Sequence, residues 1–255
     1  MSSAPIPVPP PFTSVADVVR GLAAIEGELI ARRDPRAAFA IAYLASAQKQ
    51  ERWLHRGEFL QRALVSNCVV VFANAYRDAL ARYESGDARD VPAAWRQSFG
   101  AGRDRTLWTL QHLLLGINAH INHDLPYAVL NGGLNVRCPH CYHDYRRMDD
   151  ALQAAIPTVR GRLAGHLEWP MRIVNAIDRG AVDAAVAAAI ASARRRSWML
   201  ATALDTAATP AARSGISAFI GQRAAQAGRC IVDGSRMPSR WLSSLYAVSD
   251  IPPAE

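Results

Sequence analysis

The residues best suited to chemistry lie close together near the middle of the chain. Three histidines and one aspartate fall within thirteen residues: His112, His120, His123 and Asp124. Neutral imidazole and carboxylate groups are the usual protein ligands of zinc, and both also act as general bases. The cluster therefore predicts a metal-binding or catalytic site.

Helical geometry would place this cluster on one face. At about 100° per residue, with His112 at zero, His123 falls near 20° and His120 near 80°. Asp124 follows near 120°, and Gly116, near 40°, leaves an unfilled space between them. We therefore expect one polar face with a gap at its centre.

The axial spacing divides the roles within this face. His120 and Asp124 are one turn apart, so they can converge on one ion, with His123 beside them. His112 lies about 12 Å from His120 along the axis, so we assign it a catalytic role rather than a ligand role at that ion. Asn118 and Asn122 are expected to point away.

A single helix cannot complete a metal site, and the next predicted helix offers further ligands. His143 and Asp144 are the expected additional ligands, and Asp149 is the expected proton acceptor. This mixture of nitrogen and oxygen donors favours a divalent metal, zinc first, with iron or manganese as alternatives. No other cofactor is expected, because the chain lacks a P-loop and a dinucleotide-binding glycine motif.

The tetrapeptide Cys138-Pro-His-Cys141 is a second cluster with chemical potential. A CxxC pair at the start of a helix is typical of thiol oxidoreductases, but the βαβ pattern that normally surrounds it is absent. A zinc knuckle would need a second such pair. The remaining interpretation is a loop that carries two reduced thiols.

Composition and charge limit the classes of partner that the protein can have. Half of the 255 residues are apolar and the formal net charge is +7. The positive charge is nearly all arginine, without the interleaved aromatic residues of a nucleic-acid surface, so no nucleic-acid partner is expected. The first residues lack the features of a signal peptide and no apolar run predicts a membrane span, so we expect a cytoplasmic protein.

Helical periodicity runs through most of the chain, and no series of strands interrupts it. Caps and apolar spacings predict an all-α single bundle of about seven to nine helices. Residues 1–13 are expected to be a proline-rich flexible tail, 14–245 a single helical domain, and 246–255 a flexible C-terminal tail. The histidine helix is expected to span about 105–124 and to end before Pro126.

Several stretches resemble a bacterial family labelled only as a domain of unknown function. The main one is the sequence NAHINHDLP at 118–126, accompanied by FANAY at 72–76, AW at 94–95, HDY at 143–145 and the stretch 193–198. This resemblance covers most of the chain from 34 to 204. It implies a helical fold and brings no assigned activity.

The pair His120-x-x-x-Asp124 is also loosely similar to zinc-dependent phospholipase C and P1-type nucleases. The resemblance implies an all-α metalloenzyme that acts on phosphoesters. The chain departs from those enzymes because it lacks their N-terminal metal-binding Trp and a clear His-x-x-x-Glu partner.

These observations predict a metal-dependent hydrolase that uses a metal held by His and Asp to activate water for attack on a small-molecule substrate. The alternatives are a di-iron oxidase or oxygenase, and a non-enzymatic helical protein that binds a ligand or partner. The residues leave the oligomeric state open.

Overall fold

Every regular element in the described part of the chain is helical. The computed structural model describes residues 4–102, 107–166 and 179–234. The expected all-α bundle of seven to nine helices is confirmed, with the continuous run from α5 to α6 counted once. The helices are α1 (Val15–Ala31), α2 (Ala37–His55), α3 (Arg62–Glu84), α4 (Ala93–Ala101), α5 (Thr109–Ile117), a π-helical segment (Asn118–Asp124), α6 (Leu125–Asn131), α7 (Pro139–Gln153), α8 (Ile156–His166), α9 (Arg179–Thr206) and α10 (Pro210–Asp233).

Local sequence explains where α1 begins and which face it buries. The Ser14 side chain accepts a hydrogen bond from the Asp17 N–H, which satisfies one of the free donors of the first turn. Val18, Leu22 and Ile25, at helical spacing, are fully buried. This helix packs mainly on α2.

Helix α2 lies at the centre of the bundle. Its first turns are buried on every side, from Ala37 to Ile41. Helices α1, α5, α7 and α8 all contact it. A helix surrounded in this way needs apolar residues on all faces, which explains its weak amphipathic pattern.

The helix that carries the histidines is longer and less regular than expected. It does not end before Pro126 but continues without a break to Asn131. The wider π-helical turns of 118–124 end two residues before this proline, which occupies the first turn of α6, where a missing N–H is tolerated. The chain leaves the helix through Gly133, whose φ of 83° lies in the left-handed region that favours glycine.

The extended segment 4–13, expected to belong to a flexible tail, is packed against the helices. The Asn74 side chain accepts a hydrogen bond from the Phe12 N–H at 2.8 Å and donates one to the Phe12 carbonyl at 2.9 Å. The Phe12 ring is buried against Gly21, where a side chain would collide with it. The segment is therefore part of the core, while residues 235–255, including the expected C-terminal tail, lie outside the described residues.

None of the described helices combines the length and the apolar character that crossing a bilayer requires. This agrees with the expectation that the chain has no integral membrane segment in the described ranges.

Candidate functional site

The imidazole of His120 lies inside a chamber of aromatic rings. It stacks on Phe72 with ring centroids 3.4 Å apart and planes within 6° of parallel. The ring of Tyr43 lies at 4.4 Å from the same imidazole, edge to face. The other rings of the chamber are Phe39, Tyr76 and Trp95.

This chamber determines the charge of His120. Burial lowers the pKa of His120 below its ordinary value and outweighs the opposing effect of Asp124. Its Nδ1 lies 3.3 Å from Asp124 Oδ2, while its Nε2 is buried without a hydrogen-bond partner among the described residues. His120 is therefore a neutral ring in the aromatic core.

Asp124 is the polar centre of the arrangement. The indole Nε1–H of Trp95 donates to its Oδ2 at 2.8 Å, and His123 Nδ1 lies 2.8 Å from its Oδ1. Burial opposes ionisation, but hydrogen bonds from His120 and His123 outweigh it and hold the pKa of Asp124 below its usual value. A buried and ionised carboxylate thus contacts two histidines and one tryptophan.

His123 connects this carboxylate to solvent. An ionised carboxylate only accepts hydrogen bonds, so the proton of a neutral His123 ring resides on Nδ1 and leaves Nε2 bare. The His123 side chain is 19% exposed and lines a cleft of about 240 Å³. The cleft is lined by Val71, Ala75, Asp78, Ala79 and Arg82 of α3, by Pro92, and by His123, Asp124, Tyr127, Ala128 and Asn131.

The π-helical segment helps to bring these groups together. All three side chains, His120, His123 and Asp124, belong to it, and π-helical turns often occur at functional sites. Asn118 and Asn122 bond to each other, and Asn118 also donates to the Ala224 carbonyl of α10. The prediction that these two amides point away from the histidine face is consistent with those contacts.

His112 and Gly116 do not contribute to this cleft. His112 is buried in α5 and does not line it. The gap expected at Gly116 is filled by the Phe39 ring of α2, which would collide with any side chain at that position. Gly116 therefore allows two helices to pack closely, and the expected open space is absent.

The predicted ligands on α7 serve another purpose. Asp144 is fully buried and accepts the N–H groups of Leu60, at 2.9 Å, and Gln61, at 2.5 Å, directly before α3. It therefore caps α3 from a different helix. His143 lies 3.3 Å from Asp144 Oδ1, and its side chain is 59% exposed.

Asp149, the expected proton acceptor, is engaged in a buried ion pair. Arg194 Nε of α9 donates to its Oδ1, and Arg146 Nε lies 3.3 Å from its Oδ2. The Arg194 guanidinium also lies over the Tyr145 ring, 4.5 Å from its centroid. This carboxylate joins α7 to α9 through the ion pair.

The side chains of the π-helical segment and of α7 therefore do not converge on one ion site, although this had been expected. Helix α7 packs mainly on α2 and α9. Asp144 binds the backbone before α3, and Asp149 binds Arg194 of α9. Among the residues that the structure describes, no group of three or more His, Cys, Asp and Glu side chains is arranged to hold a metal ion. The donor set around Asp124 does not fit a shared ion, because Trp95 and His123 already occupy its two oxygens.

Several residues of the site were missed in the sequence. Trp95 is the clearest, because nothing in its spacing links it to an aspartate 29 positions away. The aromatic chamber did leave a signal. Phe39 and Tyr43 on α2, and Phe72 and Tyr76 on α3, are each one turn apart, which places two rings on the same helix face.

Comparison with known proteins assigns the chain to a family. A family model described as a family of unknown function (DUF5995) matches residues 15–234. No curated protein and no solved structure matches the chain. The likeness to zinc-dependent phospholipase C and P1-type nucleases finds no support in these comparisons. Because the matched range covers most of the 255 residues, the chain belongs to this family of unknown function, DUF5995.

Proposed function

We propose that the protein is a hydrolase in which His123 and Asp124 act together as a general base on water. The observation that carries this proposal is the contact of His123 Nδ1 with the buried Asp124 carboxylate at the edge of a cleft. A carboxylate in this position fixes the tautomer and orientation of the imidazole and stabilises its protonated form. Nε2 of His123 then takes a proton from a water molecule that attacks the substrate.

The cleft supports a small substrate with an anionic group. Its volume of about 240 Å³ accommodates a small molecule or one end of a larger one. Two carboxylates, Asp78 and Asp124, also line the cleft, and the exposed Arg82 is the lining residue whose guanidinium can bind a phosphate or carboxylate. Esters and phosphoesters of this kind are the expected substrate class.

A metal-assisted version of the same hydrolysis is the second candidate. Histidines that bind zinc usually hold a carboxylate on their other ring nitrogen, as His123 does. In that case His123 Nε2 would bind the ion, and Asp124 would orient the ligand instead of coordinating the metal. The remaining ligands would have to come from the cleft or from the substrate.

Hydrolysis of a panel of chromogenic substrates tests the proposal. The panel contains p-nitrophenyl acetate, p-nitrophenyl phosphate and bis-p-nitrophenyl phosphate, each with EDTA and with added zinc. His123→Gln and Asp124→Asn are expected to lower the rate on at least one substrate by about 10²-fold or more. Loss of activity in EDTA with recovery in zinc would select the metal-assisted version.

His143→Gln is the matched control. It also removes a histidine whose Nδ1 faces the next aspartate, but this residue does not line the cleft. We expect the rate of this variant to equal that of the wild type. Equal rates for wild type and His123→Gln on every substrate, including the absence of turnover by both, would count against a hydrolase.

A further inference from the structure

The CxxC pair at the start of α7 has a geometry suited to thiol chemistry. Cys138 is the residue directly before the helix, and Cys141 lies in its first turn. The Cys138 side chain is partly exposed, whereas Cys141 is buried. The backbone bond from the Tyr142 N–H to the Cys138 carbonyl, at 3.1 Å, fixes the attachment of Cys138 to the helix.

The two thiols differ in acidity as well as in exposure. The N–H of Cys141 and its thiol, beside the Cys138 sulfur, lower the pKa of Cys138. Burial and the contact with Cys138 raise the pKa of Cys141. An accessible, more acidic thiol next to a buried, less acidic one is the usual division between an attacking and a resolving cysteine.

A second observation concerns the surface next to this pair, which neither cysteine lines itself. The loop 133–137, directly before Cys138, lines an open cleft of about 660 Å³ together with the ends of three helices, α6, α9 and α10. Arg137 and Arg213 line this cleft with one acidic residue, Asp205, whose Oδ2 lies 3.6 Å from Arg137 Nε, so the lining keeps one excess positive charge. The cleft therefore favours a small molecule that carries negative charge.

We propose that Cys138 and Cys141 form a redox-active dithiol that reacts with anionic, low-molecular-weight disulfides, and that the loop 133–137 with Arg213 binds their carboxylates. This activity is separate from the proposed hydrolysis, because neither cysteine lines the cleft of His123.

The exchange takes place in two steps. The Cys138 thiolate attacks one sulfur of the disulfide, which forms a mixed disulfide on Cys138 and releases the first small thiolate. Cys141 then loses its proton and attacks the Cys138 sulfur, which closes the Cys138–Cys141 disulfide and releases the second small thiolate. The two cysteines are oxidised by two electrons, the external disulfide is reduced to two thiols, and the two cysteine protons end on those thiols.

The chain offers the variants that a clean test requires. Cys230 is exposed and would form unrelated disulfides, so Cys230→Ser is the background. Cys68 is buried, and burial raises its pKa to about 12, so it can remain. The reduced protein is mixed with glutathione disulfide, quenched in acid and analysed by intact mass spectrometry.

The background variant is expected to form the Cys138–Cys141 disulfide, which lowers its intact mass by two hydrogen atoms, and to carry no bound glutathione. Cys141→Ser in that background is expected to retain one glutathione on Cys138, and Cys138→Ser to react at least about tenfold more slowly. A background protein that keeps its thiols reduced, or that accumulates glutathione without closing the disulfide, would overturn the proposal.

Charge selectivity gives an independent measurement on folded protein. The background variant is expected to react faster with glutathione disulfide than with the cationic disulfide cystamine, and Arg137→Gln is expected to reduce that preference at least about twofold at low salt. Equal rates with both disulfides would contradict the proposed preference for anionic disulfides.

Discussion

Asp124 is kept ionised inside the protein by donors that come from different parts of the chain. His123 is its neighbour in sequence, His120 is one turn away, and Trp95 approaches from α4. Sequence spacing predicted that His120 and Asp124 lie together, and they are in contact. It could not predict the indole, because contacts between helices are set by packing over the whole bundle.

Trp95→Phe is expected to destabilise the protein. The substitution keeps most of the ring but removes the donor to Asp124 Oδ2, which leaves a buried carboxylate oxygen short of a partner. The free energy of unfolding in urea should fall by about 1–3 kcal/mol.

The control for this variant is Trp198→Phe. The Trp198 ring is also buried and packs on Tyr145, but it donates to no carboxylate among the described contacts. We expect a smaller loss of stability. An equal loss in both variants would show that ring volume, and not the hydrogen bond, explains the effect.

His120 should make the stability depend on pH. Its pKa in the folded protein is lowered from 6.5, so below that pH the unfolded chain binds a proton that the folded protein does not. Stability from this group is therefore complete above 6.5 and is lost as the pH falls towards the folded value. Asp124 acts at lower pH, since its lowered pKa contributes stability that is lost only below its usual 3.8.

His120→Phe is expected to flatten the pH dependence between about pH 7 and pH 5, because phenylalanine keeps the stack on Phe72 but cannot bind a proton. Urea unfolding at the two pH values measures the slope. A slope as steep as that of the wild type would mean that another group causes the acid sensitivity.

At the scale of helices, the π-helical segment positions His120, His123 and Asp124, and Asp144 of α7 caps the start of α3. The expected helix end at Pro126 was wrong, because the wider turns before it let the helix continue. An angular calculation at 100° per residue holds only for regular α-helix, so it could not describe 118–124. The segment still presents His120, His123 and Asp124 to one region, as the clustering of these residues predicted.

Asp144→Ala tests the interpretation of this residue as a cap. The variant removes the fully buried acceptor of the Leu60 and Gln61 N–H groups, so the free energy of unfolding should fall by about 1–3 kcal/mol. His143→Ala, on the same helix but largely exposed, is the control and should change stability by less than about 0.5 kcal/mol. A small effect of Asp144→Ala would exclude the cap.

At the scale of the whole molecule, helices distant in sequence enclose the site. Helix α10 is fixed to the bundle by side-chain amides: Gln97, Gln111 and Asn118 donate to its carbonyls of Ala225, Ile231 and Ala224. Helical periodicity predicted the fold class and most helices. It could not predict which helices pack together. For that reason Asp144 and Asp149, which were expected to join His120 in one site, bind other partners in the structure.

The N-terminal segment contributes to this packing. Phe12→Ala removes a buried ring between α1 and α3 and is expected to lower the free energy of unfolding by about 3–5 kcal/mol. Phe219→Ala is the matched control, because that ring is 41% exposed, and its effect should be much smaller. Similar losses in both variants would show that the segment is not part of the core.

The central claim is that His123 offers a bare Nε2 to the cleft while Asp124 holds its Nδ1. Long-range ¹H–¹⁵N NMR of the histidine rings reports the position of this proton directly. We predict that the His123 proton resides on Nδ1 and that Asp124→Asn shifts the population towards the Nε2 form. A wild-type His123 with its proton on Nε2 could not accept a proton from water and would contradict the proposed mechanism.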